Sequence, residues 1–351
     1  MLFSKKKDIV GIDIGSSSVK LVQLKELKGG YVLQNAGIVP LPPEAIVDNT
    51  LMDSSSIVEA VKNLLAGLGI GKGVEAACSI SGNSVIIRKI SLPAMPPEEL
   101  EDQIHWEAEQ YIPFDINDVN IDFQLLPPDE HDPTRMNVLL VASKKDIIND
   151  YLTVFNETGV KLAVVDVDSF AVQNAFEVNY DMEGEDVVAL INIGASIMNL
   201  NVVKDGISLF TRDVQMGGNL YTEEIQKQFS VSGEDAERFK VTGECPDRER
   251  LQNIISRVNE TLGLEIRRSL DFYNTTAGEG KITRVYLSGG GAKTAMLSEA
   301  VGQRLGLPVE TMNPFAKIKY ADKEFDADYL HEIGPLVTVA LGLATRRVGD
   351  K

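Results

Sequence analysis

Short apolar runs separated by glycine and serine dominate the start of the chain. Ile9-Val10-Gly11-Ile12-Asp13-Ile14-Gly15 and Val19-Lys20-Leu21-Val22-Gln23-Leu24 are too brief for helices and read as strands. Gly15 and three serines turn the chain between them. Tyr31 to Val39 predicts a third strand that closes an antiparallel meander. The period then changes from two to 3.6, because Ile57, Val58, Val61, Leu64, Leu65 and Leu68 share one helical face. Asp53 and the serines after it cap that helix, and Gly69 ends it.

Glu75 to Ser81 and Val85 to Leu92 predict two more strands. Pro96-Pro97-Glu98-Glu99 opens a helix through Tyr111, with proline and acids in its first turn. A strand near Val119 to Leu126, a polar Pro-rich loop from Pro127 to Arg135 and a strand from Met136 to Ser143 follow. A helix capped near Ser143 then carries Ile147, Ile148, Tyr151, Leu152 and Phe155 on one side and stops at Gly159. Residues 85–160 form a small α/β insertion on this reading. It interrupts a first lobe made of residues 8–84 and 161–186.

The same apolar pattern then returns. Val188-Ala189-Leu190-Ile191-Asn192-Ile193-Gly194-Ala195-Ser196-Ile197-Met198-Asn199-Leu200 overlays residues 9–21 position for position. A repeat of this kind implies two lobes built alike. The second copy continues as a meander through the turn Lys204-Asp205-Gly206 and a strand from Ile207 to Val214. Beyond Gly217-Gly218 come helices through Lys240, and then one long helix over residues 247–275 with Gly263 as a candidate bend. Ile282 to Ser288 reads as a buried strand, Gly289-Gly290-Gly291 as a turn, and Lys293 to Leu305 as a helix. Residues 187–332 make the second lobe, and a helix from Ile333 to Arg347 returns to the first.

Composition narrows the function classes. The chain has 351 residues, 44% of them hydrophobic, enough to fill two or more cores. A net charge of −18, with Lys5-Lys6-Lys7 as its longest basic run, argues against nucleic acid as a partner. Cys78 and Cys245 are too few and too distant for a disulfide framework, which fits a reducing compartment. His105, His131 and His331 lack metal-ligand spacing and read as surface or core residues. Trp106 reads as either core or interface. No apolar stretch nears the roughly 18–20 residues of a membrane helix, and Met1 to Ser4 followed by lysines is no signal peptide, so direct membrane insertion is not expected.

The chemistry lies in the turns. In Asp13-Ile14-Gly15-Ser16-Ser17-Ser18, glycine lets the backbone approach an anion, N–H groups and hydroxyls face it, and Asp13 can hold Mg²⁺ through that ion's waters. A single turn of this sort could be only a hairpin, but two facing copies make a clamp for a polyphosphate. Ser288-Gly289-Gly290-Gly291-Ala292-Lys293 joins a strand to a helix and suits a ligand lying flat on the backbone; a plain flexible connection is the alternative. It is neither a Walker A loop nor a dinucleotide fingerprint, since the spacing fits neither.

These elements, in this order, resemble the actin-like ATPases. Residues 9–24 look like that family's first phosphate hairpin, 188–203 like its second and 287–293 like its adenosine motif. Residues 165–175 and 334–344 look like its two connecting helices. The resemblance implies an actin-like, ribonuclease H-like α/β fold of two lobes with an inserted subdomain, binding ATP or ADP with Mg²⁺. It assigns Asp13 to the Mg²⁺ water shell and Gly15, Ser16, Ser17, Ser18 and Lys20 to the β- and γ-phosphates. Gly194, Ala195 and Ser196 would close the other side. Gly217, Gly218, Gly289, Gly290 and Gly291 would line the nucleoside. Glu237 and Lys240 match ribose and adenine contacts, although a surface ion pair is the commoner meaning of that spacing. Asp168 matches the acid that orients the attacking water, or else caps the helix beginning near Ser169. Asn192 departs from the usual Asp, which puts hydrolysis in doubt and implies at most a slow ATPase.

Within that superfamily the chain resembles the PilM family of type IV pilus assembly. The insertion sits where PilM and FtsA carry theirs, and Leu92-Pro93, residues 104–114 and residues 165–171 favour PilM. That resemblance implies residence in the bacterial cytoplasm, peripheral at the inner membrane through partners. Those partners would be the N-terminal cytoplasmic peptide of PilN, in a groove beside the insertion, the pilus motor and platform proteins, and other copies of itself in a ring. An FtsA-like division filament is the alternative, opposed by the absent C-terminal membrane helix. A small-molecule kinase of the same fold ranks third.

Overall fold

The computed structural model describes residues 9–128, 132–182, 186–276 and 280–350. β1 (Val10–Ile14) and β2 (Ser18–Leu27) pair antiparallel around the first Gly-Ser turn, and β3 (Gly30–Pro40) completes the meander. A two-residue ladder of β4 (Ile46–Val47) and β5 (Thr50–Leu51) leads into α1 (Ser54–Gly67). Asp53 caps α1 through the Ser56 N–H, and Gly69 follows with φ +67°. β6 (Glu75–Ile80) runs parallel to β1.

The insertion comprises β7 (Val85–Pro93), α2 (Pro97–Ala108), β8 (Val119–Leu125) and β9 (Arg135–Lys144). Its strands form a sheet in the order β7-β9-β8. α2 buries Leu100, Ile104 and Ala108 against Ile90, Val138 and Leu140. It stops at Ala108, short of Tyr111. α3 (Lys145–Thr158) falls inside the 85–160 segment but packs elsewhere. Its Tyr151, Val154 and Phe155 share a core with Ile57, Val61 and Leu64 of α1 in the first lobe. Lys144, rather than Ser143, occupies its N-cap position, without a side-chain hydrogen bond.

β10 (Lys161–Val167) closes the first sheet, in the order β10-β6-β1-β2-β3, and α4 (Asp168–Asn179) follows directly. The second lobe repeats the plan. β11 (Val187–Ile193), β12 (Met198–Lys204) and β13 (Ile207–Val214) form its meander. Next come α5 (Asn219–Phe229), α6 (Gly233–Thr242), α7 (Arg248–Thr276), β14 (Ile282–Ser288), α8 (Leu297–Leu305) and β15 (Val309–Thr311). The sheet order β13-β12-β11-β14-β15 mirrors the first lobe strand for strand. α7 passes through Gly263 without interruption.

Two predicted helices are shorter than their sequence pattern. Gly290–Lys293 winds as one 3₁₀ turn and Met296 is left-handed, so α8 starts only at Leu297 rather than at Lys293. Near the C-terminus, α9 (Ala327–Ile333) and α10 (Thr338–Ala344) are separated by a 3₁₀ turn at Gly334–Val337. Pro335 has no N–H to continue a helical ladder there. α10 packs on α4, and Leu341, Leu343 and Ala344 share a core with Ala171, Val172 and Ala175. The two connecting helices thus cross between the lobes.

Candidate functional site

The two Gly-Ser turns have the same construction. The Gly15 N–H donates to the Ser18 carbonyl at 3.1 Å, and the Gly194 N–H to the Ile197 carbonyl at 2.8 Å. Their tips meet, with Ser16 Oγ 2.9 Å from Ser196 Oγ. A pocket of about 80 Å³ lies at this junction, lined on one side by Asp13, Gly15, Ser16, Ser17 and Lys20, and on the other by Asn192, Gly194, Ala195 and Ser196. Ser18 is buried and lies outside that lining; it contributes its carbonyl to the turn. Behind the tips, the equivalent pairs differ in charge. Asp13 faces Lys20 across β1 and β2 with Oδ2 and Nζ 3.1 Å apart, whereas Asn192 faces Asn199 across β11 and β12 through an amide hydrogen bond of 3.1 Å.

Asp168 lines the same pocket. It is the first residue of α4; Val167 holds the N-cap position, so the capping alternative is replaced by a different contact. Ser79 Oγ, at the end of β6, donates to Asp168 Oδ1 at 2.6 Å. Burial and then the nearby Asp13 charge push the Asp168 carboxyl up to about 6. Asp213 on β13 is a further acid; the residue is exposed, yet desolvation around its carboxyl raises it, although the Asn199 amide and the Gly82 N–H donate to it at 2.8 and 2.5 Å. That last bond ties the first lobe to the second. Among the described residues, no three His, Cys, Asp or Glu side chains gather as a metal cage. Mg²⁺ needs none, since it uses one or two carboxylates together with phosphates and water. Asp13 and Asp168 fit that donor set, and the raised Asp168 is a carboxyl whose charge a cation would stabilise.

The residues expected around a nucleoside all lie in the second lobe. Gly218 donates its N–H to the Gly194 carbonyl and Asn219 to that of Ala195, which seats the start of α5 on the second turn. One turn along α5, Thr222 bonds both Glu237 and Lys240 of α6. Glu237 and Lys240 do form an ion pair, with Oε2 and Nζ 2.6 Å apart. Gly289, at φ +81°, lies against the Ile193 carbonyl so closely that a side chain could not fit, while Gly290 faces open space. The glycine turn therefore lies on the second hairpin.

A separate cavity of about 290 Å³ runs beside the insertion, between β8 at the edge of its sheet and β10 at the edge of the first lobe's sheet. Asp122, Gln124 and Val141 line one wall, and Val165, Phe170 and Asn174 line the other. At its polar end Asp166 Oδ2 and Arg346 Nε approach to 3.2 Å, yet among the described residues neither atom makes an aligned hydrogen bond, and the Asn174 amide nitrogen finds no partner there either. Burial raises the Asp166 carboxyl, partly offset by Arg346.

Ser79, Asn199, Asp213 and Thr222 escaped the sequence reading, being ordinary polar residues at strand ends or on helix faces. One signal was available for Asn199, which occupies the place of Lys20 in the overlaid repeat. Trp106 is 78% exposed, which removes the core alternative, and His105 and His331 are exposed as well. His131 lies outside the described residues. Cys78 is buried and free, and Cys245 is free.

Two mirrored lobes joined through paired Gly-Ser turns, with a glycine turn from a third strand beside them, define an actin-like two-lobed ATPase fold. The pattern described as type IV pilus assembly protein PilM matches residues 11–348. The chain belongs to the PilM family of type IV pilus assembly proteins. It is similar to a solved PilM-PilN type IV pilus biogenesis complex at 30% identity, with 99% of this chain and 100% of that chain covered and a TM-score of 0.88. The fold is shared at 16% identity with the ethanolamine utilization protein EutJ from Carboxydothermus hydrogenoformans, covering 97% and 90% at a TM-score of 0.58. An MreB of Spiroplasma citri bound to AMPPNP matches at 13%, covering 96% and 95% at a TM-score of 0.54. Among the described residues, no helix is long and apolar enough to cross a membrane.

Proposed function

We propose that this chain holds ATP or ADP with Mg²⁺ between its lobes and binds the N-terminal cytoplasmic tail of a PilN-type protein in the groove beside the insertion. The chain would thereby link the inner-membrane complex to the pilus motor from the cytoplasmic side. The observation that carries the partner reading is the cavity between β8 and β10, each the outermost strand of its sheet among the described residues. An extended peptide gains backbone hydrogen bonds along an edge while alternate side chains enter pockets. The similar solved PilM-PilN complex supports the same partner.

In the cleft, Asp13 and Asp168 would hold the hydrated cation, and Ser16, Ser17, Lys20 and Ser196 would face phosphate oxygens. Bound Mg²⁺ would neutralise charge on those oxygens. Asn192 offers an amide already bonded to Asn199, so Asp168 is the carboxylate that remains to orient water. Nucleotide then serves chiefly to set the relation of the lobes. The groove shares α4 with the cleft: Asp168 opens that helix at the cleft, and Phe170 and Asn174 line the groove.

The test is calorimetry with a peptide carrying a PilN-type tail, with and without ATP. Gln124→Trp, which fills the groove from an exposed position, should weaken the peptide and leave nucleotide affinity alone. Excising residues 86–143 spares α3, whose side chains belong to the first lobe's core, and should abolish peptide binding while ATP still binds. Peptide affinity retained in the excised chain would sink the assignment.

A further inference from the structure

Trp106 stands on α2 with 78% of its surface in water. Leu100, Ile104 and Ala108 are the residues α2 buries, so the indole lies on the face turned away from the insertion's core. An aromatic ring of that size adds nothing to folding while exposed, and such rings are favoured anchors at interfaces. The groove is on the other side of the same sheet. Val138 and Leu140 of β9 face α2, whereas the alternate residues Leu139 and Val141 line the groove. Whatever covers Trp106 is therefore not the peptide in the groove.

The surroundings of the ring select the chemistry of its partner. Asp102 lies four residues before Trp106 and Glu109 three after it, which puts both on its face of the helix turn. From residue 98 to residue 109 the chain has Glu98, Glu99, Glu101, Asp102, Glu107 and Glu109, and no Lys or Arg. A guanidinium or ammonium over the indole would gain from both the ring and the carboxylates. Anionic lipid headgroups would be repelled, and a second copy of a chain with net charge −18 brings like charge. We propose that the outer face of α2 docks a basic segment of a second protein partner, with an Arg or Lys of that segment seated on Trp106.

Trp106 is the chain's single tryptophan, so its emission reports on this face alone. The full chain is titrated with a short peptide alternating Arg and Ala, with a peptide alternating Glu and Ala, and with phosphatidylglycerol vesicles. The Arg peptide should shift the emission saturably and weaken with added salt, while the Glu peptide and the vesicles should not. By calorimetry, Trp106→Ala should lose about tenfold in affinity for the Arg peptide, with circular dichroism unchanged because the ring is exposed. Asp102→Asn with Glu109→Gln should lose at least as much. Equal binding of the Arg peptide by Trp106→Ala would mean diffuse capture by an acidic surface and would overturn the proposal. So would an emission shift produced by the vesicles alone, one that follows chain concentration with a doubling of mass, or no response to the Arg peptide.

Discussion

Ser16 and Ser196 are 180 residues apart, and their hydroxyls meet at 2.9 Å. This bond joins the tips of two turns of the same construction, and an anion entering between them must replace it.

The replaced bond sets an expectation for affinity. Ser16→Ala removes one of the proposed phosphate contacts but also the bond that a phosphate would displace, so nucleotide affinity should change by less than about tenfold, the range of a net hydrogen bond. Asp13→Ala removes a charged group and leaves Lys20 without its ion-pair partner. Affinity for ATP with Mg²⁺ should fall by about a hundredfold. Calorimetry that ranked the two variants the other way would remove Asp13 from the cation's site.

The amide pair behind the second turn also has a measurable consequence. The Asn192 amide donates to Asn199, whose own amide donates to Asp213. Asn192→Asp sets oxygen against oxygen and should cost about 1–3 kcal/mol of stability. Adding Asn199→Lys rebuilds the pairing of Asp13 with Lys20 and should recover part of that loss in denaturant titrations. The parent's turnover should stay well below the roughly 10 s⁻¹ of a median enzyme. A parent that turned over at that rate, unaffected by Asp168→Ala, would contradict the roles given to these residues.

Much of this architecture was legible because the repeat carries it. Strand length, the two glycine turns and the apolar face of α1 follow from local pattern alone. The placement of α3 did not, because the helix is amphipathic in any context and only tertiary packing decides that Tyr151 and Phe155 meet α1 rather than the insertion's sheet. Asp168 was visible as a candidate, but Ser79, its partner from 89 residues earlier, has no sequence signal. The breaks before α8 and between α9 and α10 were overrun by apolar periodicity. Pro335 marks the second break, whereas the left-handed Met296 before α8 has no sequence signal.

Crossing of the connecting helices depends on one missing side chain. A Cβ on Gly342 of α10 would overlap the Ala171 carbonyl of α4. Backbone cannot yield as a flexible side chain can, so Gly342→Ala must push the helices apart and should cost about 1–3 kcal/mol. Gly67, with open space around it, is the control. Thermal unfolding should show Gly342→Ala clearly lower and Gly67→Ala near the parent. Equal midpoints for both would mean that α4 and α10 are not in close contact.

The acid in the cleft should leave a pH signature. An ordinary aspartate titrates at 3.8, and Asp168 in the folded chain is raised to about 6. Between those values the folded state keeps a proton that the unfolded state has released, so stability falls as pH rises. The contribution is complete below about pH 4 and lost above about pH 6, and its full size is on the order of 3 kcal/mol. Asp168→Asn keeps the shape and removes the titration. The variant's stability minus the parent's should therefore grow between pH 4 and pH 6 and level off by pH 7, with the variant the more stable. Asp166 and Glu177 are raised as well, but they are common to both chains and cancel in the difference; Asp213, whose charge contributes the smallest of the causes raising Asp168, modifies the difference only slightly. Mg²⁺ with ATP should narrow the gap at pH 7, because a cation beside Asp168 stabilises the charged form. A difference constant across this range, or a parent more stable than the variant at pH 7, would show that the carboxylate is not held in the desolvated site described.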